Sequence, residues 1–207
     1  IKITEQIAKV CRNINAKMIL ISSDAVFQGK KKGKFLENDP PNPINYYGKT
    51  RLEAEKKVLS FSNCNVVLRT GVVYGWHKKS RFTNWIIDSL KAGKKVDPHI
   101  DQYNTPTLVD DLVNVIIRVL EQNITGLYHA TGKSCLNRFE FALKIANHFN
   151  LKKELIIPVT AKEKIQEAPR PFVSCLDSTK IEKIVNYNFK NIDEGIKFIL
   201  NKSKHDS

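Results

Sequence analysis

Apolar residues recur at helical spacing at the start of the chain. Ile3, Ile7, Ala8, Val10 and Cys11 predict a helix over residues 2–14. The pattern then changes to a short, nearly continuous apolar run, Met18-Ile19-Leu20-Ile21-Ser22, which suits a central parallel strand buried on both faces. Gly29, Gly33, Asn38-Asp39-Pro40-Pro41 and Pro43 break the next stretch into a long loop. Leu52, Ala54, Val58 and Leu59 supply the apolar positions of a helix from about Ile44 to Phe61. A second strand follows at Asn65–Arg69, leaving through Val72–Gly75. Further helices are expected over Phe82–Ala92, stopped by Gly93, over Leu108–Gln122, and over Leu136–Phe149. Asp110 and Asp111 suit the first turn of the second of these. Gly126–Ala130 reads as a short strand, Ile156-Ile157 as a short edge strand, and residues 177–203 as helical pieces.

Strands alternating with helices argue for an α/β protein with a doubly wound parallel sheet, and the loop-rich later half for a small lobe packed on it. A sheet made only from the Met18 and Val66 strands would expose apolar edges. With Ile1 in place of a starting methionine, this predicts the C-terminal part of a larger protein.

Composition changes this picture little. With 42% hydrophobic and 27% charged residues, the 207-residue chain is typical of a soluble globular protein. No run approaches a membrane span and no signal peptide opens the chain, so the expectation is a cytoplasmic protein with no membrane partner. The four cysteines, Cys11, Cys64, Cys135 and Cys175, show no metal or redox spacing and are expected as reduced thiols. The net charge of +13 is spread, with only Lys30, Lys31, Lys32 and Lys34 clustered. Solvated lysines favouring an anionic ligand explain it without a nucleic-acid surface.

The candidate chemistry lies at Ser22-Ser23-Asp24-Ala25-Val26-Phe27 and Tyr47-Gly48-Lys49-Thr50-Arg51. Tyr47 and Arg51 share a helix face, and a cation one turn away favours a tyrosinate, which is otherwise rare at neutral pH. Ser23, at the carboxyl end of its strand, is able to bind the same substrate oxygen. Spacing alone does not separate this from a surface Tyr–Arg pair beside a helix-start serine. Arg69-Thr70, Asp101-Gln102 and Thr105-Pro106-Thr107 sit beyond strand ends, where such folds bind ligands. Arg170, between Pro169 and Pro171, suits either bidentate phosphate recognition or a structural ion pair. His129 reads as packed in or beside its strand. No Gly-x-Gly-x-x-Gly loop is present.

Taken in order, these segments resemble the extended short-chain dehydrogenase/reductases, and within them the dTDP-4-dehydrorhamnose reductase family. The matching stretches are Ser22–Phe27, Asn45-Tyr46-Tyr47-Gly48-Lys49-Thr50-Arg51-Leu52-Glu53-Ala54-Glu55, Arg69-Thr70, Asp101–Thr107 and Arg170-Pro171. The resemblance implies a Rossmann-like core over residues 1–75, lacking its glycine-rich start, and mainly a substrate-binding lobe over residues 76–207, with some segments returning to the Rossmann-like core. It implies catalytic Tyr47, Ser23 and Arg51, with Tyr47 giving a proton to a C4 keto oxygen and Ser23 polarising that carbonyl. Ser22, Tyr47, Arg51, Arg69 and Thr70 would meet NADPH or NADH. Asp24, Asp101, Gln102, Thr105, Pro106, Thr107 and Arg170 would meet a nucleotide-sugar, dTDP-linked, in deoxysugar synthesis. No metal is implied, and a homodimer is left open.

Two departures from the family pattern bear on activity. Arginine stands at position 51 where lysine is expected, and the two are not interchangeable. Ala25 replaces a tyrosine. Both favour a rival from a related group, the regulatory β subunit of methionine adenosyltransferase, a dinucleotide-binding partner module. The Asp101–Thr107 segment argues against a third option, a nucleotide-sugar 4-epimerase or 4,6-dehydratase.

Overall fold

The computed structural model describes residues 1–30, 33–164 and 167–205, so Lys31 and Lys32 of the basic cluster lie outside the described residues. Three parallel strands form the main sheet in the order β1-β2-β6: β1 is Ile19–Ser23, β2 Val66–Thr70 and β6 Gly126–His129. The strand expected at Gly126–Ala130 lies beside β2 as the third strand, where the chain returns after leaving for the lobe.

The fully buried central strand is β2, all five of whose positions are buried, whereas β1, expected in that place, lies at the edge of this sheet with Ile19, Leu20 and Ile21 only half-buried. Alternation sends Val66 and Leu68 to one face, where they meet Leu112, Val115 and Val119 of α4 (Val109–Glu121) and Ile181 and Val185 of α6 (Thr179–Val185). The opposite face carries α2 (Tyr46–Phe61), which packs on β1 and on α1 (Lys2–Asn13). The second core lies in the lobe. There α3 (Arg81–Lys91), α5 (Arg138–His148) and α7 (Ile192–His205) bring together Ile86, Leu90, Phe141, Ile145, Ile196 and Ile199.

Two minimal ladders join the layers. β3 (Val73–Tyr74) runs parallel to β5 (Thr107–Leu108), and β4 (Tyr103–Asn104) antiparallel to β7 (Leu136–Asn137). The helix expected from Leu136 therefore starts two residues later. The Asn137 side chain accepts from the Glu140 backbone N–H while Glu140 accepts from that of Asn137, a capping box that sets the start at Arg138. The expected edge strand at Ile156-Ile157 is a single bridge, Ile156 to Val96.

The cysteine expectation is corrected. Cys135 and Cys175 form a disulfide with their Cα atoms 5.6 Å apart, while Cys11 and Cys64 are free. The partners lie 40 residues apart in sequence and are brought together only by the fold, so spacing carries no sign of them. Among the described residues no helix is long and apolar enough to cross a membrane.

His129 is fully buried at the end of β6, as its strand position predicts. Its Nδ1 lies 3.1 Å from the Phe35 carbonyl oxygen, and its ring meets Phe27 edge-on. Burial, and after it the nearby Arg69 charge, push its pKa from 6.5 down to about 4. The unfolded chain therefore takes up this proton first as the pH falls. The neutral ring's contribution is complete above about pH 6.5 and is lost towards pH 4, amounting to about 3 kcal/mol. Urea titrations across that range should show this acid loss in the native protein and a flatter profile in His129→Leu.

Candidate active site

β1 ends on Ser23, which caps a single 3₁₀ turn over Asp24–Val26 by accepting the Ala25 backbone N–H. The same hydroxyl donates to Asp24 Oδ1 at 2.9 Å, and Ser174 Oγ donates to Asp24 Oδ2 at 2.7 Å. Burial raises the Asp24 pKa, against the hydrogen bonds from Ser174, Ser23 and Ala25 and the charge of Arg138. A substrate oxygen meeting Ser23 would compete with Asp24 for its proton.

The start of α2 is fastened beside this turn. Asn45 caps the helix by accepting from Gly48 N–H at 2.8 Å, and its amide donates to the Pro169 carbonyl at 2.9 Å. A Cβ on Gly48 would overlap the Ala25 carbonyl oxygen and the Pro43 ring, so this close approach requires glycine. Tyr47 is therefore presented half-exposed at the mouth of the site. The Arg51 guanidinium lies 5.1 Å over the Tyr47 ring and donates to the Ile21 carbonyl at 3.4 Å. The structure thus brings Tyr47 and Arg51 together on one helix face, as their spacing predicts.

Ser23, Asp24, Tyr47, Gln102, Arg138 and Arg170 line one cavity of about 480 Å³. Arg138 and Arg170 also line an adjoining cavity of about 440 Å³, with Phe82, Trp85, His99 and Lys164. Arg138 was not singled out in the sequence. It opens α5 directly after the cap, its guanidinium lies 5.7 Å from the Phe82 ring centre, and its buried Nε makes no hydrogen bond. Burial, then the charge of Arg170, lower its pKa, while Asp24 raises it. Two guanidinium groups at the junction of the cavities have the donors to bind an anion, although Asp97 and Glu167 also line the second cavity. The legible signal for Arg138 was the Asn-Arg-x-Glu start of the helix; Ser174 and Asn45 carried no comparable sign of their role.

Other expected contacts point elsewhere. Ser22 Oγ donates to Glu55 Oε1, and Arg69 makes a bidentate pair with Glu55, with Nη2 to Oε2 at 2.7 Å. All three are buried, which turns Ser22 and Arg69 away from the cavity and into the layer between sheet and helix. Thr70 Oγ1 donates to Thr107 Oγ1, Thr107 Oγ1 donates to the Thr105 carbonyl, and Thr105 Oγ1 accepts from Leu176 N–H. Thr105 and Thr107 are fully buried and Pro106 sits against Gly132, so these residues brace the site from behind. Asp101 Oδ2 accepts from the Ala161 N–H at 2.8 Å and holds that loop. Among the described residues no cluster of potential ligands could hold a metal ion.

Residues 1–205 match the family model described as the RmlD substrate binding domain. The chain belongs to that family. It is 34% identical over 190 residues to methionine adenosyltransferase 2 subunit beta of Xenopus tropicalis, covering 87% of this chain and 56% of that protein. It is 31% identical over 193 residues to dTDP-4-dehydrorhamnose reductase of Aggregatibacter actinomycetemcomitans, covering 86% and 64%. Among solved structures it resembles the dTDP-4-dehydrorhamnose reductase of Bacillus anthracis, a complex with NADP, at 28% identity and a TM-score of 0.90. That match covers 96% of this chain and 70% of the other. The chain thus spans little more than half to two thirds of the length of these curated relatives.

Proposed function

We propose that the protein reduces the C4 keto group of a dTDP-linked deoxysugar, with NADPH or NADH as reductant. The observation that carries this is the convergence of Tyr47 and Ser23 with the Arg138–Arg170 pair around one cavity. Tyr47 and Arg51 fit the nicotinamide end of a dinucleotide; Ser22 and Arg69, committed to Glu55, do not. The bound dinucleotide supplies the hydride. Tyr47 gives its phenolic proton to the C4 oxygen, and the Arg51 guanidinium lies over its ring. Ser23 offers the second hydrogen bond to that oxygen, released from Asp24. Asp24, held by Ser174, borders the sugar. Arg138 and Arg170 receive the diphosphate, and Phe82 and Trp85 in the adjoining cavity face the base.

Titration with dTDP tests the anion end. Arg138→Gln removes one guanidinium and should weaken dTDP binding by about tenfold or more. Unchanged affinity would remove Arg138 from the reading.

The similarity to methionine adenosyltransferase 2 subunit beta, with Arg51 stacked on Tyr47, favours a second reading. In it the pocket holds a dinucleotide without turnover and the protein serves as a partner-binding module. Cofactor binding without substrate-dependent oxidation distinguishes this from the reductase.

A further inference from the structure

The stretch from Ile157 to Ser178 contains no helix among its described residues. Besides the bridges Val159 to His99, Val173 to Tyr103 and Leu176 to Phe35, its described residues are held by hydrogen bonds from Ala161 to Asp101, from Asn45 to Pro169 and from Tyr103 to Phe172. This segment supplies Arg170 and Ser174 to the cavity. Its far end is tied covalently, through Cys175, to Cys135. Cys175 directly follows Ser174, whose hydroxyl holds Asp24, and Cys135 stands three residues before Arg138. One bond therefore joins the two stretches that deliver Arg138, Arg170 and Ser174. Of the two residues, Cys135 is exposed and Cys175 is fully buried.

We propose that the Cys135–Cys175 disulfide is a redox-operated clamp on this cavity. Closed, it holds the Arg138 and Ser174 stretches against each other and the cavity is set for its anionic ligand. Opened by a dithiol reductant, it loosens residues 172–176 against residues 136–142 and weakens that ligand's binding. The ligand's identity rests on the nucleoside-diphosphate reading above; the clamp does not. A thiolate of the reductant attacks the sulfur of Cys135, the exposed residue of the pair, the S–S bond breaks, and Cys175 leaves as a thiolate that takes up a proton. The reductant's second thiol then displaces Cys135 and leaves as a cyclic disulfide. Two electrons have passed to the protein, which now carries two thiols.

The test compares the chain before and after dithiothreitol, in a Cys11→Ser/Cys64→Ser background that removes the other thiols. Hydrogen exchange should rise on reduction in residues 136–142 and 172–176 and stay level in β2. The Kd for dTDP should rise about tenfold or more. Cys135→Ala should resemble the reduced form and ignore the reductant; wild type in its two redox states gives the same comparison if that variant fails to fold. Equal exchange and equal dTDP affinity in the two states would overturn the clamp, even if the reduced form melts earlier. Free thiols at both positions in air-oxidised protein would overturn it too. If neither form binds dTDP, the nucleotide reading falls, and the exchange comparison alone decides for or against the clamp.

Discussion

Replacing Glu55 by alanine should cost the fold about 3–5 kcal/mol, because it leaves the Arg69 guanidinium buried without its counter-charge. Both side chains are almost inaccessible, at 2% and 4% exposure, so solvent cannot take over the partner's role. The loss should appear in urea titrations as a lower midpoint with an unchanged slope. Replacing both partners with apolar residues of similar size, Glu55→Leu with Arg69→Met, should restore most of that loss. A single-variant cost below about 1 kcal/mol would mean that the pair is hydrated or loosely held. The effect reaches the site as well. Tyr47, Arg51 and Glu55 follow one another at four-residue intervals along α2, and Ser22, bonded to Glu55, precedes Ser23. Ser22 and Arg69 are register partners on β1 and β2, so this buried cluster fixes the helix that carries Tyr47 to the strand ends that carry Ser23 and Thr70.

Tyr47→Phe should lower turnover by about a hundredfold or more, the effect of losing a general acid. The phenyl ring keeps the surface over which Arg51 lies, so the affinities for dinucleotide and for dTDP should hold. A fall in turnover with both affinities intact identifies a proton donor. A parallel fall in affinity would make the tyrosine a binding residue instead. An unchanged rate would remove it from the chemistry.

Period and punctuation made most of the helices readable. α1, α2, α3 and α4 lie within two residues of their expected limits; α1, α3 and α4 each have a clear apolar stripe, and α2 follows a proline-rich loop. β2 was legible as a run of apolar residues; its pairing with β6 was not, because a strand's neighbours are chosen by tertiary packing. In the site, Tyr47 and Arg51 were legible because four-residue spacing on a helix specifies a shared face. Ser22 and Arg69, expected to meet the cofactor, instead bond Glu55, because position at a strand's end does not specify which layer a side chain enters. Glu55, two turns along the same helix, claimed both. Thr105 and Thr107 likewise turned inward, their hydroxyls linking Thr70 to Leu176. Arg138, Ser174 and the Cys135–Cys175 pair come from distant parts of the chain and meet only once the lobe has folded.

The central claim is that this cavity reduces a nucleotide-linked keto sugar. The most direct measurement follows NADPH absorbance in the complete protein given dTDP-4-dehydrorhamnose, with NADPH binding measured in parallel. Oxidation should require the sugar nucleotide and fall in Tyr47→Phe. NADPH bound without oxidation in the presence of that substrate would contradict the claim and favour the partner-binding module.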